Sequence, residues 1–197
     1  MEQNKKPNLV LLCGYSRAGK DTFANGMQYG NRDYLTHSLA APIKTVANTI
    51  IQKLDLWNYQ NHNEHSGVGF WDEKFKNKHR NVLVAIGKFA RSMDADVFAN
   101  RLIDQLQSIS TSGKHIVITD WRYLNEYQRV KADLPEYNVV TVWIETIGIF
   151  AANEEEALSI AEIRRQMACD YEFYFKQNDA DSVRDMGTDF VKNVLMS

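Results

Sequence analysis

The sequence predicts an α/β fold: one five-stranded parallel sheet flanked by helices. Three observations carry this. Short β-rich runs recur at 9–13, 34–39, 115–120, 139–144 and 171–175. Segments with helical spacing of apolar residues separate them. The first run, Leu9-Val-Leu-Leu-Cys13, is apolar at consecutive positions, the pattern of a strand buried on both faces. Strands interleaved with helices lead to a doubly wound sheet covered on both sides.

Taken in order, Pro7 and Gly14 bound the first strand, and a helix follows from Lys20 with Phe23, Ala24 and Met27 on one face and Gly30 near its end. Tyr34–Leu39 is the second strand. Pro42 suits the first turn of the next helix, where Ile43, Val46, Ala47, Ile50, Ile51 and Leu54 keep helical spacing. The stretch from Asp55 to Lys78 is polar and aromatic, with Gly67 and Gly69 as breakers, and reads as a loop or mobile insertion. Val82, Leu83, Ile86 and Ala90 begin another helix, and Phe98, Leu102, Leu106 and Ile109 mark a further one. The strand His115–Asp120 ends on its carboxylate. A helix over about 124–132 leads to the strand Val139–Ile144. Asn153 reads as the cap of a helix whose first turn holds Glu154, Glu155 and Glu156, acids that suit the helix dipole. After the strand Tyr171–Phe175, a closing helix carries Val183, Met186, Phe190, Val191 and Val194.

The chain has 197 residues, 44% hydrophobic and 24% charged, enough for one domain with a sizeable core. A net charge of -2 argues against a general nucleic-acid binder, so no stable nucleic-acid partner is expected. The apolar run at the start is too short for a signal peptide or a membrane span. The two cysteines, Cys13 and Cys169, form no disulfide framework and fit a reducing cytoplasm.

Chemistry concentrates at GYSRAGKDT, Gly14–Thr22, which closes the first strand and opens the first helix. A glycine-bounded loop turns its backbone N–H groups inward around phosphates, and the positive end of the helix points to the same place. Lys20 reaches the outer phosphates as a point charge. Phosphate loops usually carry Ser or Thr directly after the lysine, but here Asp21 holds that position and Thr22 follows. Thr22 suits a phosphate or a Mg²⁺-bound water, while Asp21 suits a role behind the metal or only the helix dipole. Arg17 either covers the transferred phosphoryl group or is solvated.

Asp120 emerges at the carboxyl edge of the sheet, where open α/β sheets bind ligands. It fits two roles there, organising Mg²⁺ or capping the next helix. Arg122 faces the same crevice or makes a surface ion pair; its planar fork suits phosphate oxygens. Trp57, Tyr59, Phe70 and Trp71 fit core packing or stacking on a base. His62, His65 and His79 lack a third ligand at metal-binding spacing.

These blocks resemble the phage-type deoxynucleoside monophosphate kinases, within the wider nucleoside monophosphate kinase group. GYSRAGKDT is similar to their GKDT-type phosphate loop. SLAAPIK (Ser38–Lys44), NVLVAIGKFARSMDADVF (Asn81–Phe98), VITDWRYLNE (Val117–Glu126) and the Asn178-Asp-Ala-Asp-Ser segment look like further blocks of that family. The resemblance implies a P-loop NTPase fold with an acceptor-binding (NMP-binding) insertion over about 55–110 and a lid over about 147–169. It implies ATP and Mg²⁺, with Gly14, Ser16, Arg17, Ala18, Gly19, Lys20, Asp21 and Thr22 on the ATP phosphates and Asn178 near the base. Lys20, Arg17, Asp120 and Arg122 are then the catalytic set, with Thr22 and Asp120 at the metal. Lys44, Arg80, Arg91 and Arg122 meet the acceptor nucleotide. Arg164 and Arg165 either close over the phosphates or form a solvated face beside Glu162. The implied reaction transfers phosphate from ATP to a deoxynucleoside monophosphate in the cytoplasm, the host's if the chain is phage-encoded. A homodimer is left open.

Two other readings stay open. A P-loop kinase acting on a hydroxyl, of a nucleoside or of a modified base in DNA, would want a carboxylate base, for which Asp21, Asp33 and Asp120 are candidates. A nucleotide-binding module without transfer chemistry would hydrolyse ATP slowly and ignore any acceptor.

Overall fold

A computed structural model describes residues 6–56, 69–109 and 113–196. By internal contacts the chain divides into two compact units, Met1–Leu39 with Phe98–Ser197, and Ala40–Val97.

The first unit holds the sheet. Its strands are β1 (Asn8–Cys13), β2 (Tyr34–His37), β3 (His115–Ile118), β4 (Asn138–Thr146) and β5 (Tyr171–Phe175), all parallel, in the order β2-β3-β1-β4-β5. This is the five-stranded parallel sheet flanked by helices that the sequence predicts. β1 lies between β3 and β4 and is buried at every residue, as its unbroken apolar run requires. β2 stops at His37, two residues short of the expected end, because Ser38 and Leu39 turn to bond a side chain beyond β3. β4 runs two residues beyond Ile144, where Thr146 pairs with Phe175.

One face of the sheet is covered by α1 (Lys20–Gly30) and α8 (Ala180–Phe190). Phe23, Met27, Val183, Phe190 and Val191 pack there on Val10, Leu12, Val117, Val142 and Ile144. Fully burying each such side chain stabilises the fold by about 1.5–3 kcal/mol. The two helices approach closely at Gly26, where a Cβ would lie 2.0 Å from the Arg184 carbonyl oxygen. The Thr188 hydroxyl donates to the Gly26 carbonyl at 3.0 Å and pins this contact. α8 thereby fixes the helix that follows the Gly14–Gly19 loop.

The same unit contains α5 (Val97–Ile109) from Phe98 onward, α6 (Leu124–Asp133) and α7 (Glu154–Gln166). Asn153 caps α7 as its sequence predicts, its Oδ1 accepting from the Glu156 N–H at 2.9 Å. The stretch 147–169 thus holds a turn and a helix whose Ile160 and Ile163 are buried.

The second unit is helical: α2 (Ala41–Lys53), a 3₁₀ turn at Gly69–Trp71, α3 (Glu73–Lys78) and α4 (Arg80–Met93). It spans 40–97, where the sequence reading expects an insertion over 55–110. Phe98, Leu102 and Leu106 are buried, and α5 from Phe98 onward groups with the sheet. The expected loop over 55–78 needs correction within 69–78. There the Asp72 carboxylate caps α3 by accepting from the Phe75 N–H at 2.8 Å. Phe70 and Phe75 meet edge to face, with ring centroids 5.1 Å apart, and join Ala47 and Ile51 in a buried cluster. Phe70 thus takes the core-packing alternative of its sequence reading, whereas Trp71 is exposed; Phe75 keeps no helical period with Phe70, and only tertiary contact reveals it as core. Trp57, Tyr59, His62, His65 and Gly67 lie outside the described residues. Among the described residues no helix is long and apolar enough to cross a membrane.

Candidate phosphate-binding site

The connections leaving β1 and β3 start from neighbouring strands on the two sides of the point where the strand order reverses, the place where open α/β sheets bind ligands. The loop after β1 is shaped there by tight packing. Gly14 has φ 144°, and a Cβ would fall 2.1 Å from the Ile144 carbonyl oxygen on β4, so no side chain fits. The Ala18 N–H donates to the Tyr15 carbonyl at 3.1 Å, closing the turn, and the Thr146 hydroxyl donates to the Ala18 carbonyl at 3.1 Å. Arg17 is exposed and adopts φ 67°, a left-handed backbone that costs a non-glycine residue about 1–3 kcal/mol and concentrates at ligand sites. α1 starts immediately afterward with Gly19 at its N-cap and no side-chain cap. Its first N–H groups, lacking intrahelical acceptors, are donors for an anion.

Lys20 is buried under this loop. Its Nζ donates to the Gly14 and Tyr15 carbonyls, both at 2.7 Å. Burial first and the Arg122 charge second lower its pKa to about 8, with Cys13, Glu156 and Asp21 acting in the opposite direction. Asp21 is exposed and Thr22 half-buried. Burial pushes the Cys13 thiol up to about 12, which makes it an inert core group.

Asp120 follows β3. Its Oδ2 accepts from the Ser38 hydroxyl at 2.7 Å and its Oδ1 from the Leu39 N–H at 2.8 Å. The N-cap of α6 is Tyr123, with Glu126 Oε2 accepting the N–H groups of Arg122 and Tyr123 at 3.2 and 3.1 Å. Strand-like alternation continues past the ladder. Trp121 points into the core, its Nε1 donating to the Tyr123 carbonyl at 2.8 Å, while Asp120 and Arg122 remain part-exposed.

The Arg122 ion pair is not a surface one. Its Nη2 lies 2.9 Å from Oε1 of Glu156, whose side chain is fully buried. The same Oε1 accepts from the Ser16 N–H at 3.0 Å, inside the loop after β1, and Oε2 accepts from the Ala152 N–H at 2.6 Å. Next to it, the Tyr123 hydroxyl donates to Glu155. Sequence reasoning missed Glu156 as a site residue, because three consecutive glutamates look alike as dipole partners. The available signal was its place three residues after the Asn153 cap, where a glutamate turns back toward the helix start.

Lys20, Ser16, Arg122 and Glu156 are thus brought together, with Asp120 two residues from Arg122 on the same edge. Asn178 is exposed, with φ 60°, in the turn between β5 and α8. Arg164 pairs with Glu172 and lies 4.8 Å over the Trp143 ring, which meets Tyr15 edge-on, so its partners here are not phosphate donors. Arg165 is exposed. Asp33, a candidate base, is displaced from the site. It precedes β2 at the amino edge, bonded to Lys114, at the opposite end of the sheet from Gly14. Within the helical unit, Lys44 sits 5.1 Å over the Trp71 ring, Arg80 donates to Asn77 Oδ1 at 2.8 Å, and Arg91 lies in the last turn of α4. Among the described residues no cluster of three or more His, Cys, Asp or Glu side chains is arranged to hold a metal.

The sequence matches no protein-family model and no curated protein. Two solved structures are similar over most of the chain. A sugar kinase from Janibacter sp. HTCC2649 is 9% identical, covering 91% of this chain and 91% of its own, with a TM-score of 0.49. A protein of Chloroflexus aurantiacus provisionally described as a kinase is 13% identical, covering 92% and 94%, with a TM-score of 0.41. At these scores the likeness carries no argument about function, which rests on the site itself.

Proposed function

We propose that this protein is an ATP-dependent kinase whose acceptors are deoxynucleoside monophosphates. The observation that carries the reading is the loop Gly14–Thr22 at the switch point, with Lys20 seated beneath it and Arg122 held beside it. Phosphoryl transfer asks mainly for positioning and charge neutralisation. In this reading the loop N–H groups and Lys20 bind the ATP phosphates, and Asn178 lies near the base. Arg17 and Arg122 take charge that develops on the transferred group.

A monophosphate acceptor carries its own nucleophilic oxyanion, since its second pKa is about 6. Its oxygen attacks the γ-phosphorus, the bond to the ADP oxygen breaks, and no general base is needed. That suits a site where both Asp120 oxygens already accept hydrogen bonds and Asp33 lies at the far edge. Thr22 and Asp120 are hard oxygen donors of the kind Mg²⁺ takes, and they would hold the ion, which when bound neutralises phosphate charge. The assignment of Lys44, Arg80 and Arg91 to the acceptor comes from the family resemblance and is part of this proposal.

The test is ADP release from Mg-ATP with each common deoxynucleoside monophosphate and one modified pyrimidine monophosphate. Stimulation by at least one monophosphate is expected. Stimulation only by a nucleoside or an oligonucleotide would replace this reading with a hydroxyl kinase, and slow hydrolysis indifferent to every acceptor would leave a binding module.

A further inference from the structure

Glu156 is 1% exposed, a burial that carboxylates almost never show unless paired. Its partners come from three separate stretches: the loop after β1, the exit of β3 and the turn after β4. The contact is built, not incidental. Asn153 fixes the first turn of α7, and Tyr123 with Glu155 forms a second rung beside Arg122 with Glu156. Two cations, Lys20 and Arg122, stand close enough to oppose each other's charge; Glu156 pairs with Arg122 and, with Asp21, offsets the charge of Lys20. An N–H group and a guanidinium fork converging on one oxygen is also the donor set a phosphate oxygen takes.

We propose that Glu156 is the resident counter-anion of the phosphate site, a positioning residue that holds Arg122 and the Ser16 N–H and yields them to an incoming phosphate group. This rests on reading Gly14–Thr22 as a phosphate loop. Carboxylate and phosphate then compete for the same donors, so removing the carboxylate charge strengthens phosphate binding. A merely structural anchor behaves in the opposite way, because losing it loosens the loop.

The experiment titrates inorganic tripolyphosphate into the full chain by calorimetry, comparing wild type with Glu156→Gln, which keeps the size and one acceptor oxygen. The expected result is affinity raised at least about fivefold, the lower end of coupling between linked sites, with the gain lost in the double variant that also carries Arg122→Gln. Equal or weaker binding by Glu156→Gln overturns the proposal while leaving the phosphate loop intact. If wild type does not bind tripolyphosphate, the loop reading fails and this inference with it. Should Glu156→Gln fail to fold, amide exchange in the wild type decides. Tripolyphosphate should speed exchange at Ala152 as its acceptor departs, and unchanged exchange there overturns the proposal.

Discussion

β1 in the sheet unit is buried from Asn8 to Cys13, whereas α4 in the helical unit buries only Gly87 and leaves Phe89 and Met93 exposed at 70% and 76%. α2 repeats the contrast: Ala47 and Ile51 face the small cluster with Phe70 and Phe75, while Val46, Ile50 and Leu54 form an exposed stripe. In the sheet unit, Phe23, Met27, Val183 and Phe190 close over the central strands and leave the loop's helix no room to shift. The difference separates two jobs. In the proposed reading Lys20 and Arg122 must meet phosphate to within a fraction of an ångström, and both belong to the densely packed unit. A unit with few buried apolar contacts opens locally at lower free energy.

The comparison can be broken most sharply at Lys20. Lys20→Ala should reduce phosphoryl transfer by roughly 10²–10³-fold, the scale of losing one charge-stabilising group, with the thermal unfolding midpoint retained. Turnover close to wild type would mean that the dense unit does not carry the chemistry. Next in size, Leu12→Ala should cost about 2–5 kcal/mol in urea unfolding, because a cavity between the sheet and α1 collapses poorly. Ile51→Ala should fall at or below the bottom of that range. An equal or larger loss at Ile51 would erase the contrast between the units.

A pH series sharpens the electrostatic side. The folded-state pKa of Lys20 lies near 8, below its usual 10.5. Between these values the unfolded chain holds the extra proton, so stability rises with pH across about 8 to 10.5 as the penalty for burying the charged amine disappears. Phosphate affinity should move the other way, falling as pH passes 8 and the amine loses its charge. Tripolyphosphate titrations from pH 7 to 9.5 should show that fall, and Lys20→Met should flatten it. The smallest effect is expected at Phe89→Ser, within about 0.5 kcal/mol of wild type, as for other exposed positions. A markedly larger loss in chemical denaturation would show that the exposed face of α4 is covered in solution.

Much of the sheet unit was legible because its signals are local. Leu9–Cys13 announces a central strand by composition, GYSRAGKDT announces a loop by glycine spacing, and Asn153 announces a helix start by its chemistry. Asp120 and Arg122 were legible as residues at a strand end. The role of Asp120 was not, since capping and ligand binding ask for the same carboxylate. The helical unit was read less well. Phe70 was legible only as core or base-stacking, Phe75 carries no periodic signal, and their burial depends on Ala47 and Ile51, 19 to 28 residues earlier.

The Gly14–Thr22 loop was therefore legible in the sequence alone. Its glycines, its lysine and the strand before it act over a few residues, where backbone sterics and hydrogen bonding already decide the conformation. What surrounds the loop was decided by the tertiary structure. Ser16 meets Glu156 across 140 positions, and Arg122 joins them only because β3, β1 and β4 lie side by side in the sheet. Asp33 was removed from the candidate bases by the same fact, since parallel strands send their two ends to opposite edges. Charge acts through distance in space, and the chain brings those distances into being only when it packs.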